Sequence, residues 1–254
     1  MLLIISEWLM RFDASFSVFS FYTLRALLSL VSALMITLLL GPRMIRWLHA
    51  QQLGQIVRDD GPSTHLKKAN TPTMGGVLII VAVVMCSLLW SDLANPYVWV
   101  CLFTFTGFGL IGAFDDLKKI RFRHSRGLSA RWKFLWQSVL AFGIVVVVFL
   151  LASRPEQTQL FIPVFKNLVF NLGWMFIPLA WLVLVSSANS LNLTDGLDGL
   201  AIGPSVLIVS ALGVFAYASG NSVIAAYLQI PYLWRIGEVI IFCAAIAGAC
   251  IGFL

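Results

Sequence analysis

Long apolar runs alternate with polar segments along the whole chain, and most runs approach the length of a bilayer-spanning helix. Such a helix needs roughly 20 mostly apolar residues. Windows at 21–40, 75–93, 97–114, 132–151, 172–188, 201–218 and 236–254 fit that description. Segments this apolar satisfy their backbone in lipid only as helices or closed barrels, and runs of this length favour helices. The pattern predicts an all-α, polytopic helical bundle, a single transmembrane domain over residues 1–254 without a separate soluble domain. Ahead of the first span, Glu7, Arg11 and Asp13 stand among Trp8, Leu9 and Phe12. That mixture predicts a short interfacial helix. No basic region precedes it, which argues against a cleaved signal peptide.

Composition sharpens the same picture. The chain is 60% hydrophobic and 11% charged, with a mean hydropathy of +0.93. Soluble domains carry about 25% charged residues. The net charge of +6 reads as basic membrane-flanking loops, with no nucleic-acid partner expected. Of the 17 Lys and Arg residues, 12 fall in alternate loops, between Arg43 and Lys68 and between Lys118 and Lys133. The positive-inside rule places those loops in the cytoplasm and the N-terminus outside. The segments around Asp115 and Asp195, with His49, His65 and His124, then share the cytoplasmic face. Cys86, Cys101, Cys243 and Cys250 all lie in apolar runs without metal-ligand spacing and are expected to pack as small hydrophobic residues.

Two acidic segments carry the candidate chemistry. Asp115-Asp116 closes one apolar run, and Asn192-Leu193-Thr194-Asp195-Gly196-Leu197-Asp198-Gly199 separates two others. Ions and unpaired backbone are costly in hydrocarbon, so both must meet water or line a wet cavity. Carboxylates at a helix C-terminus oppose its dipole, so helix stability does not explain Asp115 and Asp116. Magnesium takes hard oxygen ligands, commonly one or two carboxylates with phosphates and water. Adjacent helical residues diverge by about 100°, so one aspartate is expected on the metal and the other on substrate or as a base. Asn192, Asp195 and Asp198 offer donors and acceptors suited to a nucleobase or ribose, a reading favoured over one in which Thr194 or Asp195 only caps the next helix. Lys68 and Lys133 are candidate phosphate contacts. Gly75 and Gly76 permit close approach of a neighbour or ligand. The rest of the basic run from Lys118 reads as topology signal and lipid-head-group attraction.

Together, Thr71-Pro72-Thr73-Met74-Gly75-Gly76, Phe114-Asp115-Asp116, Arg131-Trp132-Lys133 and the 192–200 segment resemble the phospho-N-acetylmuramoyl-pentapeptide transferases. These belong to a superfamily of polyprenyl-phosphate sugar-phosphate transferases. The resemblance implies transfer of phospho-MurNAc-pentapeptide from its UDP carrier to undecaprenyl phosphate, forming lipid I and releasing UMP in peptidoglycan synthesis. It implies a magnesium (Mg2+) cofactor, a multi-pass location in the bacterial cytoplasmic membrane, and contact with membrane lipids. A homodimer is an expected assembly. By motif position Asp115 and Asp116 fall on catalytic aspartates, with Asp116 on the metal side. Asn192, Asp195, Gly196, Leu197 and Asp198 fall on the uridine- and magnesium-side loop, and Lys68 and Lys133 on lysines of the cytoplasmic cleft. Asn70 stands where the family commonly has glycine.

The final apolar run stops without polar flanking residues, so the sequence reads as the N-terminal portion of a longer protein. The resemblance places a further aspartate ligand and a histidine-rich loop beyond Leu254. The 254-residue chain by itself is therefore expected to be inactive. The rival readings are a polyprenyl-phosphate N-acetylhexosamine-1-phosphate transferase and, from another class, an ion-coupled transporter. Acids gathered at one interface, rather than at mid-membrane, disfavour the transporter.

Overall fold

A computed structural model of the chain describes residues 1–50, 75–122, 127–162, 165–194 and 200–254. Each of the seven apolar windows contains a helix. These are α2 (Tyr22–Ala50), α3 (Gly76–Trp90), α4 (Pro96–Phe122), α5 (Ala130–Leu151), α6 (Phe176–Thr194), α7 (Ile202–Gly220) and α9 (Val239–Phe253). Two short helices complete the set, α1 (Leu2–Leu9) and α8 (Ser222–Leu228). Six helical segments among the described residues are long and apolar enough to cross a membrane. The protein is a multi-pass helical membrane bundle.

The short N-terminal helix expected from the sequence is α1, but it ends at Leu9, ahead of Arg11, Phe12 and Asp13. Its terminal amine donates to the Leu88 carbonyl at 3.0 Å, which pins it to the end of α3. The sequence pattern placed no strand in the segment between α5 and α6. It holds an antiparallel hairpin, β1 (Gln159–Ile162) and β2 (Phe165–Asn171), with Gln159 opposite Asn171. Gln157, just before β1, donates to the Tyr97 hydroxyl at the start of α4 at 3.0 Å. The hairpin therefore lies at the end of the bundle where α4 begins.

The centre of the bundle is α9, packed on α2, α3 and α7. Ala33, Ala82, Val83, Cys86, Val98, Ala245 and Ala249 form the interior between these helices and α4. Small residues let the backbones approach, which is how helices pack where lipid removes the usual hydrophobic drive. A Cβ at Gly248 would collide with the Leu30 carbonyl oxygen. The Ser29 hydroxyl donates to the Ile241 carbonyl at 3.1 Å. The cysteines behave as expected: Cys86, Cys243 and Cys250 are buried, Cys101 is half-buried, and all four are free.

The end of the bundle where α2 starts is fixed by a polar cluster that local sequence patterns did not signal. Arg25 and Glu238, both almost fully buried, form a two-armed pair. Arg25 also donates to the Trp90 carbonyl at 3.0 Å, and the Asp92 amide donates to Glu238. Arg235 reaches Asp92 at 3.2 Å. Asn95 donates to the Arg235 carbonyl at 2.8 Å. This ties the starts of α2 and α9 to the α3–α4 turn, at the opposite end from Asp115.

Candidate active site

Helix α4 does not stop at the aspartates. It continues to Phe122, so Asp115 and Asp116 lie within the helix. The expectation that they terminate it is corrected, and with it the helix-dipole argument. Lys119 and Arg121 occupy the last turn and suit the dipole there. The polar extension remains helical because Asp115 and Lys119, four residues apart, share one face.

Asp115 is 7% exposed, so its charge needs partners. The Leu128 amide donates to Asp115 Oδ1 at 2.6 Å. Lys119 Nζ lies 2.7 Å from Asp115 Oδ2, and Lys133 Nζ lies 3.9 Å from the same oxygen. Gly127 makes the first contact possible. Its φ of +51° is in the left-handed region, and a Cβ there would overlap Asp115 Oδ1. Only glycine adopts that conformation without strain while leaving room for the carboxylate.

Asp116 is more open. Its side chain is 36% exposed, and its Oδ1 lies 3.0 Å from Lys119 Nζ. Two neighbouring aspartates therefore converge on one cation. The divergence of adjacent helical residues does not prevent this when the cation is the ammonium of a long, flexible lysine. A group one turn further along is i+4 from the first and i+3 from the second, and both side chains reach forward to it. Such a donor set suits a divalent ion of the magnesium kind, which needs few protein carboxylates. Among the described residues, no three His, Cys, Asp or Glu side chains come together as a metal cluster.

Helix α5 brings Lys133 to Asp115 from its first full turn. One turn on, buried Gln137 accepts a hydrogen bond from the Asn189 amide at 3.0 Å. This joins the start of α5 to the end of α6, where Asn192 stands exposed in the last turn. The apolar window ended at residue 188, but the helix runs on through Asn189 and Asn192 to Thr194. Asp115, Asp116, Lys133 and the Asn192 end of α6 thus occupy one end of the bundle. Lys68, Asp195, Gly196, Leu197 and Asp198 lie outside the described residues. Of the two glycines at the start of α3, Gly75 faces the Phe253 ring so closely that a Cβ would collide, while among the described residues nothing approaches Gly76.

Three contributors were missed in the sequence. Lys119 was assigned to the general basic flank, although its i+3 and i+4 spacing from the two aspartates was visible. Gly127 and Leu128 act through backbone conformation, which residue type alone does not reveal.

The profile for glycosyl transferase family 4 matches residues 98–254, and signature 1 of the phospho-N-acetylmuramoyl-pentapeptide transferases matches residues 68–80. The first match spans more than half of the chain and includes both aspartates, so the chain belongs to glycosyl transferase family 4. With the signature, it is a phospho-sugar transferase of the phospho-N-acetylmuramoyl-pentapeptide transferase type.

Proposed function

We propose that this protein transfers phospho-MurNAc-pentapeptide from its UDP carrier to undecaprenyl phosphate, forming lipid I and releasing UMP. The observation that carries the choice of substrate is the signature over residues 68–80. Supporting it is the gathering of two carboxylates and two ammonium groups at one end of a membrane bundle. That end faces the cytoplasm of a bacterial inner membrane, in line with the basic asymmetry of the loops.

Both substrates are anionic, so the site must offset charge as it brings them together. Lys133 provides that positive charge beside Asp115, and Lys119 adds to it while no divalent ion is held. Asp115 is held in one orientation by the Leu128 amide, and it orients the acceptor phosphate. A phosphomonoester carries about −1.5 to −2 charge near pH 7, so little proton transfer is required of Asp115. Asp116, with Asp115, would hold magnesium. That ion supplies charge neutralisation across a diphosphate and favours departure of UMP. Asn192, exposed at the end of α6, is assigned to the uridine side.

The test is UMP release by the full gene product with magnesium and undecaprenyl phosphate. Release with UDP-MurNAc-pentapeptide and not with UDP-N-acetylglucosamine is the expected result. The reverse preference would move the protein to the N-acetylhexosamine branch. Ion flux in vesicles without UMP release would favour the transporter reading.

A further inference from the structure

Lys119 has no place in the reading above beyond general charge, yet it makes the shortest ion pair with the aspartates. Its Nζ lies 2.7 Å from Asp115 Oδ2 and 3.0 Å from Asp116 Oδ1. We propose that Lys119 is a displaceable counter-ion, which competes with the divalent cation for these two oxygens and so sets the cation concentration the site requires. The inference rests on the metal-dependent reading of the site.

The argument is one of charge and space. Asp115 is buried, and a positive partner beside it offsets its charge. Lys119 supplies that partner at the spot where both carboxylates converge. An ammonium ion and a divalent ion cannot both sit within about 3 Å of the same two oxygens, because like charges that close repel strongly in a partly desolvated site. Once a divalent ion neutralises the pair, Lys119 is no longer needed there. Its side chain is 37% exposed, and its long stem has rotatable bonds that let the ammonium swing into water. Lys133 is less suited to this exchange. It is 3.9 Å from Asp115, is 20% exposed, and has no ion pair with Asp116 among the described residues.

Lys119 is thus a positioning residue whose removal strengthens metal binding. The structural alternative, in which Lys119 merely holds the α4 extension in place, gives the opposite result. The experiment measures Mn2+ affinity of the purified full gene product by the electron paramagnetic resonance signal of free Mn2+. Wild type, Lys119→Met, Lys119→Arg and Asp116→Asn are compared, with thermal unfolding recorded for each. Methionine keeps an unbranched stem without the charge, and arginine keeps the charge.

The expected result is about tenfold tighter Mn2+ binding by Lys119→Met, as removal of one competing unit charge allows. Lys119→Arg should bind within about twofold of wild type, and Asp116→Asn should bind at least tenfold more weakly, as loss of one carboxylate ligand implies. Unchanged or weaker binding by a folded Lys119→Met overturns the proposal. So does Mn2+ binding that is indifferent to Asp116→Asn. Neither failure touches the transfer reaction, which the UMP assay on wild type decides separately.

Discussion

The Leu128 amide donates to Asp115 Oδ1 at 2.6 Å across 13 residues of chain. That contact makes the turn before α5 part of the site, because it fixes the orientation of a carboxylate on α4. Gly127 is the residue that allows the turn to lie so close.

Replacing Gly127 by alanine should therefore impair catalysis. The left-handed φ costs a non-glycine residue about 1–2 kcal/mol. The new Cβ must also push the Asp115 carboxylate or the turn aside. Turnover should fall about tenfold or more, given how steeply rate depends on roughly 1 Å misplacements. Thermal unfolding should shift only modestly. Steady-state UMP release and a melting curve on the same preparation check this.

Asp115→Asn and Asp116→Asn should both lower turnover by orders of magnitude, yet differ in stability. Asp115 is buried and paired with Lys119, with Lys133 close by, so losing its charge should cost about 1 kcal/mol of stability. Asp116 is partly exposed, and its variant should melt like the parent. Equal melting shifts for the two would contradict the environments described here.

At the other end of the bundle, Arg25→Ala leaves Glu238 buried with the Asp92 amide as its remaining partner among the described residues. Breaking a buried ion pair from one side costs about 3–5 kcal/mol. The double replacement Arg25→Leu with Glu238→Leu should recover much of that loss, since no charge is then stranded. Turnover per folded molecule should be unchanged in both. Thermal unfolding in detergent, with the UMP assay alongside, checks this.

Gly248→Val should destabilise the α2–α9 contact, because the side chain meets the Leu30 carbonyl. Overpacking of this kind typically costs about 1–3 kcal/mol. Lower yield of folded protein and a lower melting temperature are the expected outcomes.

The spans were legible because apolar runs near bilayer length leave the backbone little choice. Their ends were not. Helix α4 continues past Asp115 on Asp–Lys spacing, and α6 continues past Asn189, beyond the end of its apolar window. The β1–β2 hairpin was hidden because the clustered Leu168, Val169 and Phe170 break the alternation that marks a strand. Arg25 and Glu238 are 213 residues apart, and no local pattern pairs residues so distant. At the candidate site, residue types singled out Asp115, Asp116 and Lys133, which the structure brings to one end of the bundle. The partner role of Lys119 needed the helix to be drawn through the aspartates, and the Gly127–Leu128 contribution needed the backbone.

The most direct test of the account follows lipid I formation by the full gene product in vesicles, comparing wild type with Asp116→Asn. The substrates are UDP-MurNAc-pentapeptide and undecaprenyl phosphate, with magnesium present. Wild type should release one UMP for each lipid I formed. Asp116→Asn, folded and melting like the parent, should be slower by at least about a hundredfold, a loss typical of a group that stabilises charge in the transition state. Near-parental lipid I synthesis by a folded Asp116→Asn variant would contradict the claim that this helical aspartate pair is the catalytic centre.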